Sequence, residues 1–397
     1  MLRRILPALL LTLLLAMPVL ADGPRDERQE RRQEAMQRWD HLNATQQERG
    51  LARAEAHGLF ARFAYDAATG QAGGAFLRFT VHPSAGSLAD VRVRANRTVA
   101  LTPLLASVVP DAYTLQDGPT VHGATLLLDG ANVDFTAHNN PTAALTWRAS
   151  SATNLTFTLA PGLRPLTSDA HEVKVTVGAT HAHIVSNGAP LRVLADNRTV
   201  VASLAAGDSA MVRLHPAGDA LGGGLHDLIA AFKAHRLGAT LRIADADGTP
   251  AEDGEAGDVQ ASTRSIAHGH VVWDVASAQH DGRVLFLTVE NGTVDMARLD
   301  RLVATLNGSS LQRMDTTAQV VAATVGAFAV VPSGDGQSVT VAVYVPHFSS
   351  YALALAQPAS GSGDGSGASG TTTRSTPGLE AGALLALGLA ALLRRRA

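Results

Sequence analysis

From Leu59 onward the chain is written in short runs of alternating polarity, separated by Gly, Asn, Asp and Pro. Phe76-Leu77-Arg78-Phe79-Thr80-Val81, Leu155-Thr156-Phe157-Thr158-Leu159 and Val173-Lys174-Val175-Thr176-Val177 are examples. Side chains of a strand point to opposite faces in turn, so a period of two with many β-branched residues predicts strands that bury one face. Many such strands in succession suggest sandwiches or an antiparallel solenoid-like stack. One stretch has a different period. Leu225, Leu228, Ile229, Ala231 and Phe232 fall on one side of a helix over 225–236, which Gly222-Gly223-Gly224 precedes and Gly238 follows. A second β region runs from Ala239 to Ala356 and includes Val284-Leu285-Phe286-Leu287-Thr288-Val289. Within it, Asn307-Gly308 separates Leu302–Leu306 from the run that starts at Leu311, a hairpin signature.

Ahead of the strands, Pro24 to Ala56 is charged, with Glu27 four residues before Arg31 and Glu34 four before Arg38, the order that supports a helix. Met36, Trp39 and Leu42 offer a short apolar face, and Asn43-Ala44-Thr45-Gln46 resembles a capped restart. The fold class expected is mainly β: one or two antiparallel β-sandwich-like domains, an N-terminal helical segment, one internal helix, and a helix at each end. The organisation is 1–21 signal peptide, 22–57 charged helical segment, 58–222 first β-rich domain, 223–238 helix and connector, 239–357 second β-rich domain, 358–376 stalk and 377–397 anchor.

The ends carry the topological signal. Arg3 and Arg4 precede an apolar run from Ile5 to Leu20, and Val19-Leu20-Ala21 suits signal peptidase, with cleavage after Ala21. The alternative is a retained N-terminal anchor. Gly361 to Thr376 is a Gly/Ser/Thr tract with too little apolar area to offset the entropy of ordering it, so it reads as a flexible stalk. Then come Thr376-Pro377-Gly378-Leu379-Glu380, an uncharged run from Ala381 to Leu393, and Arg394-Arg395-Arg396. As a helix that run spans about 20 Å, against a hydrocarbon core of ~30 Å.

Short motif, apolar helix and terminal Arg cluster together resemble the C-terminal sorting signal of archaeal surface proteins whose motif is Pro-Gly-Phe (the PGF-CTERM type). Pro377 and Gly378 match that motif, and Leu379 stands where it has Phe. The resemblance implies that an archaeosortase removes the tail and joins the new C-terminus to a lipid. An ordinary single-pass tail is the other reading. In both, the Arg cluster stays on the cytoplasmic side.

Composition narrows the classes. With 46% hydrophobic and 17% charged residues, 397 residues are enough for about two or three globular domains. Only Lys174 and Lys233 are lysines and the net charge is -3, so no basic stripe is available for a nucleic-acid backbone. Cysteine is absent, which removes disulfides, thiolate nucleophiles and cysteine-based metal centres. Stability must come from core burial.

Of ten asparagines, six lie in Asn-X-Ser/Thr with X other than Pro: Asn43, Asn96, Asn154, Asn197, Asn291 and Asn307. Chance gives about one or two, so the excess points to N-glycosylation and an extracytoplasmic body, although a few can be unused acceptors.

Familiar catalytic signatures are missing: no lysine lies in a Gly-rich phosphate loop, His171-Glu172 has no second histidine at zincin spacing, and there is no Gly-X-Ser-X-Gly elbow. The candidate metal ligands are two His-X-His pairs, His181/His183 and His268/His270. Residues i and i+2 of a strand share a face, so each pair can offer two imidazoles to Zn or Cu, with His171 or Glu172 as a further ligand. Accidental pairing among fifteen histidines is the competing explanation. Asp245, Asp247, Glu252, Asp253 and Glu255 gather carboxylates in an expected loop, as Ca prefers, or form a solvated turn. His347-Phe348-Ser349 resembles the His-Phe-Ser motif of self-cleaving domains such as that of a nucleoporin, in which the histidine assists the serine. Alternatively Pro346-His347 makes a turn and Phe348 fills the core.

Taken together, the expectation is a non-catalytic, N-glycosylated protein of the cell surface, held at the cytoplasmic membrane by its C-terminus. It would act as an envelope component, adhesin or ligand-binding module, with envelope glycoproteins or glycans as partners. The competing expectation is an anchored metal-dependent hydrolase or metal-binding protein that uses the His-X-His pairs.

Overall fold

The structure, a computed structural model, describes residues 60–358 apart from Asn96 and residues 216–223, 247–248, 257–258, 278–280, 333–335, 337 and 349. The expected signal peptide, charged segment, stalk, sorting motif (Pro377, Gly378, Leu379), Asn43, Asn96 and Ser349 lie outside the described residues. Among the described residues no helix is long and apolar enough to cross a membrane.

The chain is mainly β, arranged in four sheets whose pairings are antiparallel with two exceptions. An eight-stranded sheet has the spatial order Ala64–Asp66, Gln71–Gly73, Leu77–His82, Ser87–Val93, Thr102–Pro110, Thr153–Leu159, Thr199–Leu204, Arg192–Val193. A second eight-stranded sheet runs Pro165–Ser168, Glu172–Val177, Thr180–Ser186, Ser209–His215, Leu145–Ala149, Val133–His138, Thr125–Gly130, Leu115–His122. The two share one hydrophobic core, because alternate positions of strands in both contribute to it. Its centre is a line of rings that crosses between the sheets: Phe63 to Phe79 at 5.9 Å, Phe79 to Phe135 at 5.8 Å, Phe135 to Trp147 at 5.1 Å and Trp147 to Phe157 at 5.2 Å. Such edge and tilted contacts suit aromatic quadrupoles and add about 0.5–1.5 kcal/mol each beyond area burial.

A buried asparagine ties the start of this unit to the rest. Asn139, 0% exposed, donates through Nδ2 to the carbonyls of Ala61 and Arg62, both at 2.8 Å, and accepts from the Phe76 N–H at 2.8 Å. Gly74 must be glycine here, since a Cβ would lie 1.8 Å from Asn139 Nδ2.

The second pair consists of a six-stranded sheet, Thr249–Ala256, Leu237–Ala246, Arg283–Glu290, Ser338–Val345, Ala327–Pro332, Gln312–Arg313, and a five-stranded sheet, Val259–Ala267, His270–Ser277, Ser350–Ala356, Val303–Leu306, Ser309–Ser310. Leu237–Ala246 with Arg283–Glu290, and Gln312–Arg313 with Ala327–Pro332, are the parallel pairings. Trp273, Phe328 and Phe348 belong to the core between these sheets. The Asn307-Gly308 hairpin forms with Leu306 opposite Ser309, and φ values of 49° and 81° at its two central residues match the turn that twists with the strands.

Helix α1, Gly224–Lys233, buries Leu225, Leu228, Ile229, Ala231 and Phe232. A second helix, α2 (Thr317–Ala322), does not follow from periodicity, being too short to show it. It is set by a capping box in which Thr316 and Gln319 satisfy each other's backbone N–H groups. Both helices, with Val284, Phe286, Ala329, Ala342 and Tyr344 from the six-stranded sheet and Val185 and Met211 from the second eight-stranded sheet, form a third core. Covered on both faces, Arg283–Glu290 and Ser338–Val345 are buried at every position.

Candidate functional site

A polar cluster lies where the end of α1 meets the second eight-stranded sheet. Glu172–Val177, Thr180–Ser186 and Ser209–His215 send Val173, Val175, Ala182, Ile184, Val212 and Leu214 inward to the first core. The alternate positions therefore share the outer face, and the ladder sets Lys174 beside His183, His183 beside Arg213, and His181 beside His215. Toward α1 the same face ends in Val185 and Met211, under the helix.

His183, 7% exposed, donates from Nδ1 to Glu172 Oε1 at 2.6 Å. The other carboxylate oxygen, Oε2, takes the Lys233 ammonium at 2.7 Å, and the same ammonium reaches Asp169 Oδ2 at 2.9 Å. The hydrogen bond from His183, joined by the bond and charge of Lys233, holds the Glu172 carboxyl at about 2 even though burial opposes its ionisation. Burial works against the Lys233 ammonium, but its bonds to Glu172 and Asp169 prevail and raise it. Burial works against the Asp169 carboxylate, but the Lys233 bond, the His171 N–H and the Lys233 charge together prevail and lower it. Burial, followed by the charges of Lys174, His183 and His215, lowers His181, so it is a neutral imidazole at neutral pH.

The rings of His183 and His215 lie 6.0 Å apart, and His183 Nε2 is buried with no hydrogen-bond partner. Among the described residues no group of three or more His, Cys, Asp or Glu could hold a metal ion. What the arrangement does perform is attachment: one ammonium on α1 pins two carboxylates of the first unit.

The structure does not unite the two His-X-His pairs. His181/His183 belongs to the second eight-stranded sheet and His270 to the five-stranded sheet. The shared-face argument holds for His181/His183, which lie in one strand. It fails for His268/His270, because His268 sits in the turn, with Ala267 opposite His270, and its Nδ1 lies 3.2 Å from the Gly292 carbonyl. The carboxylates expected in a loop are also rearranged. Asp245 and Glu252, Asp253 and Glu255 belong to two paired strands, Leu237–Ala246 and Thr249–Ala256, joined at residues 247–248. Of the His-Phe-Ser triplet, His347 is exposed and Phe348, 2% exposed, packs edge-on against Tyr351 at 6.4 Å in the core.

Of the acceptor asparagines, Asn197, Asn291 and Asn307 are exposed at turns, and Asn154 is half-buried inside the strand Thr153–Leu159. Sequence reasoning missed the partners that complete the cluster, Lys233, Asp169 and His215, because they come from separate segments.

No protein-family model matches the chain, and no curated protein matches it. Among solved structures it is similar to a glycoside hydrolase family 81 protein from Clostridium thermocellum, at 9% identity and a TM-score of 0.29, over 75% of this chain and 35% of that one. A likeness that faint carries no argument about fold or activity.

Proposed function

We propose that the chain is an exported, N-glycosylated surface protein, anchored at the membrane through its C-terminal segment, and that its two sheet pairs are sandwich-like ectodomains serving as an envelope component, adhesin or ligand-binding module. The observation that carries this reading is the layout of the chain. An Arg-led apolar run opens it, an apolar run capped by Arg394-Arg395-Arg396 closes it, and six glycan acceptors lie between. Two features of the body support it. With no cysteine, its stability rests on three buried apolar clusters, which do not depend on redox compartment. The third of these joins helices to strands of both sheet pairs and so ties the two pairs together.

Protease added to intact cells tests the reading. Membrane-associated protein that is digested from outside agrees with it; protein that is soluble and protected until lysis contradicts it.

A further inference from the structure

Transfer of a glycan to asparagine demands more than an Asn-X-Ser/Thr sequence. The side-chain Nδ2 attacks C1 of the sugar on a lipid-linked oligosaccharide phosphate. A C1–N bond forms, the C1–O bond breaks with its electron pair left on the phosphate oxygen, and Nδ2 gives up one proton to the transferase and keeps the other. For that to happen in a folded chain, Nδ2 must be free to leave its surroundings and the hydroxyl two residues later must be reachable. The four described acceptors differ sharply in both respects.

Asn154 is held at both ends of its amide. Nδ2 donates to Asp111 Oδ2 at 2.7 Å, and Oδ1 accepts from Ser203 Oγ at 2.6 Å. Its backbone N–H donates to Asp111 Oδ1 at 2.9 Å, and its carbonyl accepts from the Asp111 N–H at 2.9 Å. The strand that carries it is paired on both sides, with Thr102–Pro110 and Thr199–Leu204, so freeing the amide means opening the interior of a sheet. Asn291 is exposed at a turn, but the hydroxyl of its acceptor sequence belongs to Thr293, which is 0% exposed with Oγ1 buried. The Thr293 backbone is tied down as well, its N–H donating to Glu290 O at 2.9 Å and its carbonyl accepting from Gly269 N at 2.8 Å.

Asn197 and Asn307 are the opposite case. Both are exposed, both stand in the left-handed region at φ 52° and 49°, and both sit in turns rather than inside a paired strand. The Thr199 hydroxyl that follows Asn197 rests on the exposed Asp196 carboxylate at 2.6 Å, a bond water can replace at little cost. Asn307 is anchored through its oxygen, which accepts from the Ala352 N–H at 2.7 Å, and that bond leaves the nitrogen available. Ser309, its partner hydroxyl, is exposed.

We propose that among the described acceptors Asn197 and Asn307 are the glycan-bearing positions of the folded protein, whereas Asn154 and Asn291 are structural and stay unmodified. The inference deepens the glycoprotein reading and rests on it for its biological setting. Its test is independent of that reading. The full chain, produced without glycans, is incubated with a purified N-oligosaccharyltransferase and a lipid-linked oligosaccharide, beside synthetic peptides spanning each acceptor. Occupancy is read by peptide mass spectrometry. The expected result is modification of Asn197 and Asn307 in the folded chain, loss of modification at Asn154 and Asn291, and modification of all four peptides. Glycan on folded Asn154 or Asn291 at the rate seen for their peptides overturns the partition. So does failure of folded Asn197 and Asn307 when their peptides react. Protein from native membranes that bears no glycan at any acceptor, while the folded chain still accepts at Asn197 and Asn307 in the tube, sinks the glycoprotein reading and leaves the partition standing.

Discussion

Replacing Lys233 by Met removes the ammonium that joins α1 to Glu172 and Asp169 while keeping the apolar stem. The two legs are unequal. Asp169 is 60% exposed, so its ion pair is worth at most about 1 kcal/mol. Glu172 is only 21% exposed and is drawn from 4.5 to about 2, which sets an upper bound near ~3 kcal/mol for everything that favours its ionised form. His183 supplies the largest share of that and solvent screens the rest, so the Lys233–Glu172 coupling should be about 1 kcal/mol.

The pH dependence has a definite sign. A carboxyl lowered in the folded state stabilises it fully above its unfolded value, and the contribution fades as pH falls from 4.5 through about 2. A raised lysine acts at the other end, its contribution being complete below its ordinary value of 10.5 and lost as pH rises beyond it. A double-mutant cycle of Lys233→Met and Glu172→Gln, measured by urea denaturation, should therefore show the coupling near neutral pH and lose most of it only as the pH falls to about 2. A coupling that is absent at neutral pH, or undiminished in acid, would refute the reasoning.

Asn139→Ala leaves the Ala61 and Arg62 carbonyls and the Phe76 N–H without their partner, so it should cost about 3 kcal/mol or more, read as a lowered urea midpoint. Phe348→Ala should cost about 3–5 kcal/mol, because its ring is part of the second core, and the wild-type chain should run intact by mass spectrometry across 347–349. A fragment ending at Phe348 would instead favour the self-cleavage resemblance.

The strands were legible because their environment is two-sided: a core on one face and water on the other imprint a period of two on the sequence, as in Val173–Val177. Burial on both faces leaves a less uniform imprint. Arg283–Glu290 and Ser338–Val345 are covered by helices on one side and a sheet on the other; the first has an apolar run over Val284–Leu287, while the second keeps Val at every other position although its second face is buried too. Helix α1 showed its face over three turns, while α2 spans six residues and was marked only by Thr316 and Gln319, a signature at capping-box spacing. The polar cluster was half legible. His181 and His183 are two positions apart in sequence, but Lys233 is 61 positions from Glu172 and His215 reaches His181 only through the strand pairing. A His-X-His pair also presumes that both residues share a strand, which a turn at His268 defeats. The acceptor sequences mark asparagines by their neighbours in the chain, whereas Asp111 and Ser203, which occupy the Asn154 amide, lie far from it in sequence.

Intact-mass and terminal-peptide analysis of the protein purified from native membranes bears most directly on where the chain resides. The expected mature form begins at Asp22, has lost or embedded the segment beyond Pro377-Gly378, and is heavier than its polypeptide by whole glycans. A bare chain that starts at Met1, ends at Ala397 and is recovered from the soluble cytosolic fraction would contradict the account.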